Sequence, residues 1–112
     1  MSPRRKKKVS NPYRVYVTYL PDRRYYIGYS NKSPKLFEKY YGSSGIIKEY
    51  STEELNKEVI AEFDKKSYAK MQEFLLQWKY RDDERCINDM IHLRLRLSYL
   101  KDFESVEWEP TH

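Results

Sequence analysis

Cysteine is almost missing from this 112-residue chain: Cys86 stands alone, which excludes an internal disulfide and argues against a secreted, disulfide-stapled scaffold. The composition suits a reducing cytoplasm, which for a phage-encoded chain means the host's. Long apolar runs are missing too. None approaches the roughly 18 to 20 residues of a membrane span, and no apolar signal-peptide segment follows the basic N-terminus, so no membrane partner is expected. His92 and His112 are the only histidines, and neither pairs with another histidine or with the cysteine at metal-ligand spacing, so a zinc site is not expected. Apolar residues reach only 39% against 35% charged, so a single domain of this length must draw heavily on its aromatic residues for a core.

Tyrosine fills that gap. There are twelve, and a tyrosine-rich core carries hydroxyls that need partners. The net charge is +5, and its distribution says more than its size. Arg4, Arg5, Lys6, Lys7 and Lys8 are consecutive, and without them basic and acidic residues balance at 17 each. Residues 1–11 read as a disordered basic arm ahead of one domain over 12–112. Such an arm contacts phosphates and displaces counterions, giving sequence-independent affinity for nucleic acid; a solubilising tail or a localisation signal is the alternative.

Two β-rich segments, Tyr13 to Leu20 and Arg23 to Tyr29, flank the Pro21-Asp22 turn and predict a hairpin. Ser33-Pro34 predicts a helix start and Gly42 its stop, with a helix from Pro34 to about Tyr41. A small turn is expected from Ile46 to Tyr50. Glu58 to Phe63 alternates as a third strand, with Val59, Ala61 and Phe63 on one side and Ile60 on the other. Tyr68 to Tyr80 is the longest helical stretch. Its two apolar stripes, Tyr68-Met71-Leu75-Trp78 and Ala69-Leu76-Tyr80, predict a helix packed on both faces. Glu73 falls on the second stripe, where a carboxylate needs a hydrogen-bonded cation or a metal unless it is simply solvated. A tyrosine on each hairpin strand followed by a lone helical carboxylate suits phosphodiester cleavage, although tyrosines on an aromatic hairpin also serve as plain packing residues.

The ordered set of motifs resembles the GIY-YIG nuclease superfamily. Tyr26-Ile27-Gly28 matches the second name-giving motif, and Arg14-Val15-Tyr16 keeps the tyrosine of the first without its leading glycine. Tyr41 to Lys48 is similar to the glycine-serine segment of small phage-borne members related to homing endonucleases. Val59 to Asp64 resembles their third strand, Ala69 and Glu73 repeat the pattern around the family's metal-binding glutamate, and Asn88 stands where an asparagine is common. The resemblance covers Tyr13 to about Asn88.

It implies an α+β domain of the α/β type, with a three-stranded antiparallel sheet flanked by helices and a C-terminal extension from about residue 89. It further implies a DNA endonuclease dependent on Mg2+ or Mn2+. Glu73 would be the sole protein ligand of that ion, a role that suits a metal retaining several waters. Tyr16 would be the general base, with Tyr26 hydrogen-bonded nearby. Gly28 would allow close approach to the strand, and Asn88 would fix local geometry. The family's arginine after the second motif has no counterpart, since no arginine lies between Arg24 and Arg81. Lys39 or Lys35 would then face the scissile phosphate as a point charge, with Lys48 a more distant phosphate contact and Tyr40 or Tyr41 in the place of a histidine or tyrosine.

Beyond Asn88, the segment Met90 to Phe103 reads as either strand or helix, and Arg94 and Arg96 either face phosphate or solvate the outer surface. With no length for a recognition module, specificity is expected from a homodimer, from DNA structure or from a partner protein. A catalytically weak nucleic-acid-binding module and a phage-type protein that contacts a host protein are the alternatives.

Overall fold

A computed structural model describes residues 12–89 and 94–111. The arm residues Arg4, Arg5, Lys6, Lys7 and Lys8 lie outside the described residues, as do both histidines. The aromatic and β-branched run Tyr13–Tyr19 forms β1, and Tyr25–Ser30 forms β2, paired antiparallel with Tyr16 opposite Gly28. Between them Leu20 N donates to Arg24 O and Arg23 N to Leu20 O, and Arg23 takes the left-handed conformation at φ 76°. Asp22 holds this turn through its carboxylate, which accepts from the Arg24 backbone N–H and guanidinium.

The short helix α1 spans Pro34–Glu38, one turn shorter than expected, because Lys39 already closes it. Strand β3, Asn56–Phe63, pairs antiparallel with β1, so the sheet order is β2-β1-β3 with β1 central. Helix α2, Lys66–Lys79, packs on one face of this sheet. The expected three-stranded antiparallel α+β architecture is therefore what the chain adopts.

One alternation is broken. The β1–β3 register shifts between Val15 and Tyr16, which face Ala61 and Val59, so Ile60 is an inserted residue of a β-bulge. Ile60 and Phe63 consequently pack against the core, while Val59 is 41% exposed, contrary to the side assignment that simple alternation gives.

The strand period sorts β1 into two faces. Val15, Val17 and Tyr19 point to α2 and join Tyr25, Ile27, Ala69, Leu76 and Trp108 in the main core. Of the two apolar stripes on α2 only the Ala69-Leu76 stripe is buried; Trp78 is half exposed and stacks with Phe74. The C-terminal extension is part of this core. Gln72 exchanges two hydrogen bonds with the Val106 backbone, at 2.6 and 2.9 Å, and Trp108 packs edge-on against Tyr25 and Tyr80. Within the ambiguous stretch, the described part contains a 3-10 turn at Leu97–Leu100 and no strand.

The outer edge of β2 is covered by residues 85–88. Tyr25 N donates to Arg85 O and Ile87 N to Tyr25 O. The Asn88 side chain extends that ladder: its Oδ1 accepts from Ile27 N at 2.8 Å and its Nδ2 donates to Ile27 O at 2.9 Å. An otherwise open strand edge is thus satisfied as far as Ile27.

Candidate active site

The second face of the sheet carries Arg14, Tyr16 and Thr18, and α1 covers it. Ser33 caps α1 by accepting from Leu36 N, and Pro34 opens its first turn, as the Ser-Pro pair predicts. This brings Phe37 and Tyr40 onto Tyr16, with ring centroids 5.4 and 6.2 Å away. Tyr26, beside Tyr16 in the hairpin, is 6.4 Å from it. Glycine makes the arrangement possible at two points. A Cβ at Gly28 would stand 2.6 Å from Tyr16 Oη, and one at Gly42, where φ is +133°, would stand 2.7 Å from the Tyr26 ring. The close approach at Gly28 is therefore made by a side chain of the same sheet.

Where the two faces meet at the β2 edge, a polar cleft of about 460 Å³ opens. Tyr26 and Tyr40 line it from one side, Lys70, Glu73 and Gln77 of α2 from the other, with Asn88 at the rim. The three α2 residues share a helical face by their spacing of three and four. Glu73 is largely buried, its side chain 13% exposed, and accepts from Lys70 Nζ at 3.1 Å and from Gln77 Nε2 at 3.3 Å. Gln77 Nε2 also donates to Ile27 O, the carbonyl that Asn88 holds. The carboxylate is thereby fixed to the same strand segment that carries the Tyr26-Ile27-Gly28 motif.

Electrostatics in the cleft favour neutral phenols. Burial drives the Tyr16 hydroxyl well above its ordinary pKa, and the neighbouring Tyr40 and Tyr26, a hydrogen bond with Tyr40 and the Glu73 charge push the same way. Burial also raises Tyr26, partly offset by its hydrogen bond with Ser43. Tyr16 is fully buried beneath the tyrosines that line the cleft.

Of the residues expected at a site, Tyr26, Tyr40, Glu73 and Asn88 line one cleft, and Tyr16 and Gly28 lie beneath it. Lys35, Lys39 and Lys48 do not line it; all three are exposed. Among the described residues the cation in the cleft is Lys70, whose spacing from Glu73 was the available signal. Two further cations occupy the Tyr16 face as structural groups. Arg14 donates to Lys32 O at 2.8 Å, sits 4.5 Å above the Phe37 ring and pairs with Glu62. Lys57 donates to Phe37 O and Tyr40 O, satisfying carbonyls at the end of α1.

Among the described residues no three His, Cys, Asp or Glu side chains cluster as a metal cage. Among the described residues the cleft holds two carboxylates, Glu73, largely buried, and Asp89, exposed; one buried hard-oxygen ligand at a polar opening fits a cation that keeps most of its waters and does not fit a dehydrated protein cage. No family model matches the chain, and no curated protein or solved structure matches it either.

Proposed function

We propose that the chain is a metal-dependent DNA endonuclease of the GIY-YIG type, cleaving phosphodiester bonds with little intrinsic sequence specificity. The observation that carries this reading is the convergence of Glu73 with Tyr26, Tyr40 and Asn88 on one cleft, with Tyr16 directly beneath. Glu73 would hold Mg2+ or Mn2+, which supplies charge neutralisation at the phosphate and the leaving oxygen. Lys70 contributes a positive charge beside it, and Gln77 and Asn88 hold the carboxylate and β2 in register. Tyr26 and Tyr40 line the opening, and the Tyr26 hydroxyl is shared with Ser43. Tyr16 enters as the proton acceptor only where added positive charge offsets the burial that keeps its phenol protonated.

That same raised phenol favours the second reading, a catalytically weak module that binds nucleic acid through the arm and the folded surface. Supercoiled plasmid incubated with Mg2+ or Mn2+ separates the two. The nuclease yields nicked or linear product, and Glu73→Ala abolishes it while leaving the fold intact; protein that shifts DNA in a gel without cutting it is the binding module. Protein that does neither points to a host-protein contact instead.

A further inference from the structure

A second concavity, a groove of about 1190 Å³, runs between the N-terminal turn of α2 and the segment from residue 94 to 102. Among the described residues five cations line it, Lys65, Lys66, Lys70, Arg94 and Lys101, against two carboxylates, Asp64 and Asp102. Among the described residues only Lys70 of the five forms an ion pair. The α2 end that forms one wall has no acidic residue in its first turn and no side-chain cap, so the helix dipole adds to the lysines' field there, with Asp64 just outside the helix. A net positive charge concentrated in a groove attracts a polyanion.

Aromatic rings specify which polyanion. Tyr13 lines the groove and Tyr29 lines the Glu73 cleft, and their rings stack with centroids 6.4 Å apart and planes within 9°. Lys70 lines both openings and lies 4.9 Å over the Tyr29 ring. Tyr99, 56% exposed, offers a further ring on the far wall. Flat rings beside lysines suit bases and phosphates together, which an acidic peptide does not exploit.

We propose that this groove binds the backbone of a single nucleic-acid strand and leads it past the Tyr13–Tyr29 stack to the Glu73 cleft. The lead into the cleft rests on the nuclease reading; the groove's affinity for the strand does not. Lys66 and Lys101 contact phosphates, and Tyr13 and Tyr99 offer stacking faces.

The test is fluorescence anisotropy of a labelled single-stranded oligodeoxynucleotide with the full chain, without divalent ions, over a salt series. Lys66→Ala/Lys101→Ala should flatten the slope of log affinity against log salt by about 1.4, at roughly 0.7 for each phosphate that no longer meets a lysine. Lys79→Ala/Arg81→Ala removes the same charge outside the groove and should leave the slope within about 0.3 of the wild type. Equal flattening in both pairs, or none in the groove pair, overturns the proposal, as does polyglutamate competing as well as the oligonucleotide does. Thermal melting followed by circular dichroism, unchanged in the groove pair, excludes misfolding as the cause. Plasmid left uncut by wild type while the groove pair still lowers the slope removes the nuclease reading and leaves the groove standing.

Discussion

The hydroxyl end of Tyr16 rests on Gly28, its partner across the hairpin, so closely that a Cβ there would be 2.6 Å from both Cζ and Oη. Gly28→Ala forces the ring off this seat into Phe37, Tyr40 and Tyr26, which already surround it. We expect a loss of about 1–3 kcal/mol in urea unfolding, the usual cost of overpacking. Plasmid nicking should fall further than DNA binding does. A variant as stable as wild type would mean that the ring has somewhere else to go.

Lys70 is expected to outweigh the α1 lysines in activity. It lies 3.1 Å from Glu73 and lines the cleft, whereas Lys35 and Lys39 are exposed outside it. If Lys70 meets the phosphate, Lys70→Ala removes a charge-assisted contact of about 1.5–3 kcal/mol, roughly a 10- to 150-fold loss in nicking rate. Lys35→Ala and Lys39→Ala should each change the rate by less than about threefold, the yield of a screened surface charge. The reverse ranking in a plasmid assay would return the phosphate contact to α1.

Asn88 acts as a strand residue made from a side chain, donating to Ile27 O and accepting from Ile27 N. Asn88→Ala leaves that N–H without its partner, while the carbonyl keeps Gln77. A cost of about 1–3 kcal/mol follows from one orphaned backbone donor. Amide hydrogen exchange should locate the damage, with Ile27 losing protection and the central strand β1 keeping it.

These residues also show how far the sequence could be read. The hairpin and third strand were legible because β-branched and aromatic residues alternate over short runs, and α2 because Ala69 and Leu76 recur on one helical face. The bulge at Ile60 was not, since an inserted residue leaves the composition of a strand unchanged while moving side chains between faces. Glu73, Tyr26, Tyr40 and Asn88 could be named in advance as members of a motif. Lys70 was hidden in a chain rich in lysine, and only its helical spacing from Glu73 distinguishes it. The burial of Trp108 was hidden too, because its neighbours Glu107 and Glu109 give the tail a solvated composition, while its anchor is a backbone exchange with Gln72 that no side-chain pattern announces.

Lys57 should make the protein gain stability on the alkaline side. Burial, with the nearby Arg14 acting the same way and Glu38 opposing them, lowers its pKa to about 8. In the unfolded chain a lysine titrates near 10.4. Between those two values the unfolded state holds more protons at this site than the folded state, so stability rises with pH; below about 8 the penalty for burying the charge is fully present. Two groups of residues work in the opposite direction. Cys86, raised by burial, begins to cost stability as the unfolded thiol ionises near 8.5. Tyr16, Tyr19, Tyr25, Tyr26 and Tyr29, also raised by burial, contribute stability that is intact below about pH 10 and lost above it. The informative quantity is therefore the difference between wild type and Lys57→Met, read as urea midpoints from pH 7 to 10. Wild type should gain on the variant steadily above pH 8, from a variant baseline lowered by the missing bonds to Phe37 O and Tyr40 O. Parallel curves for the two proteins would show that Lys57 titrates as an ordinary lysine and that its charge is no burden to the fold.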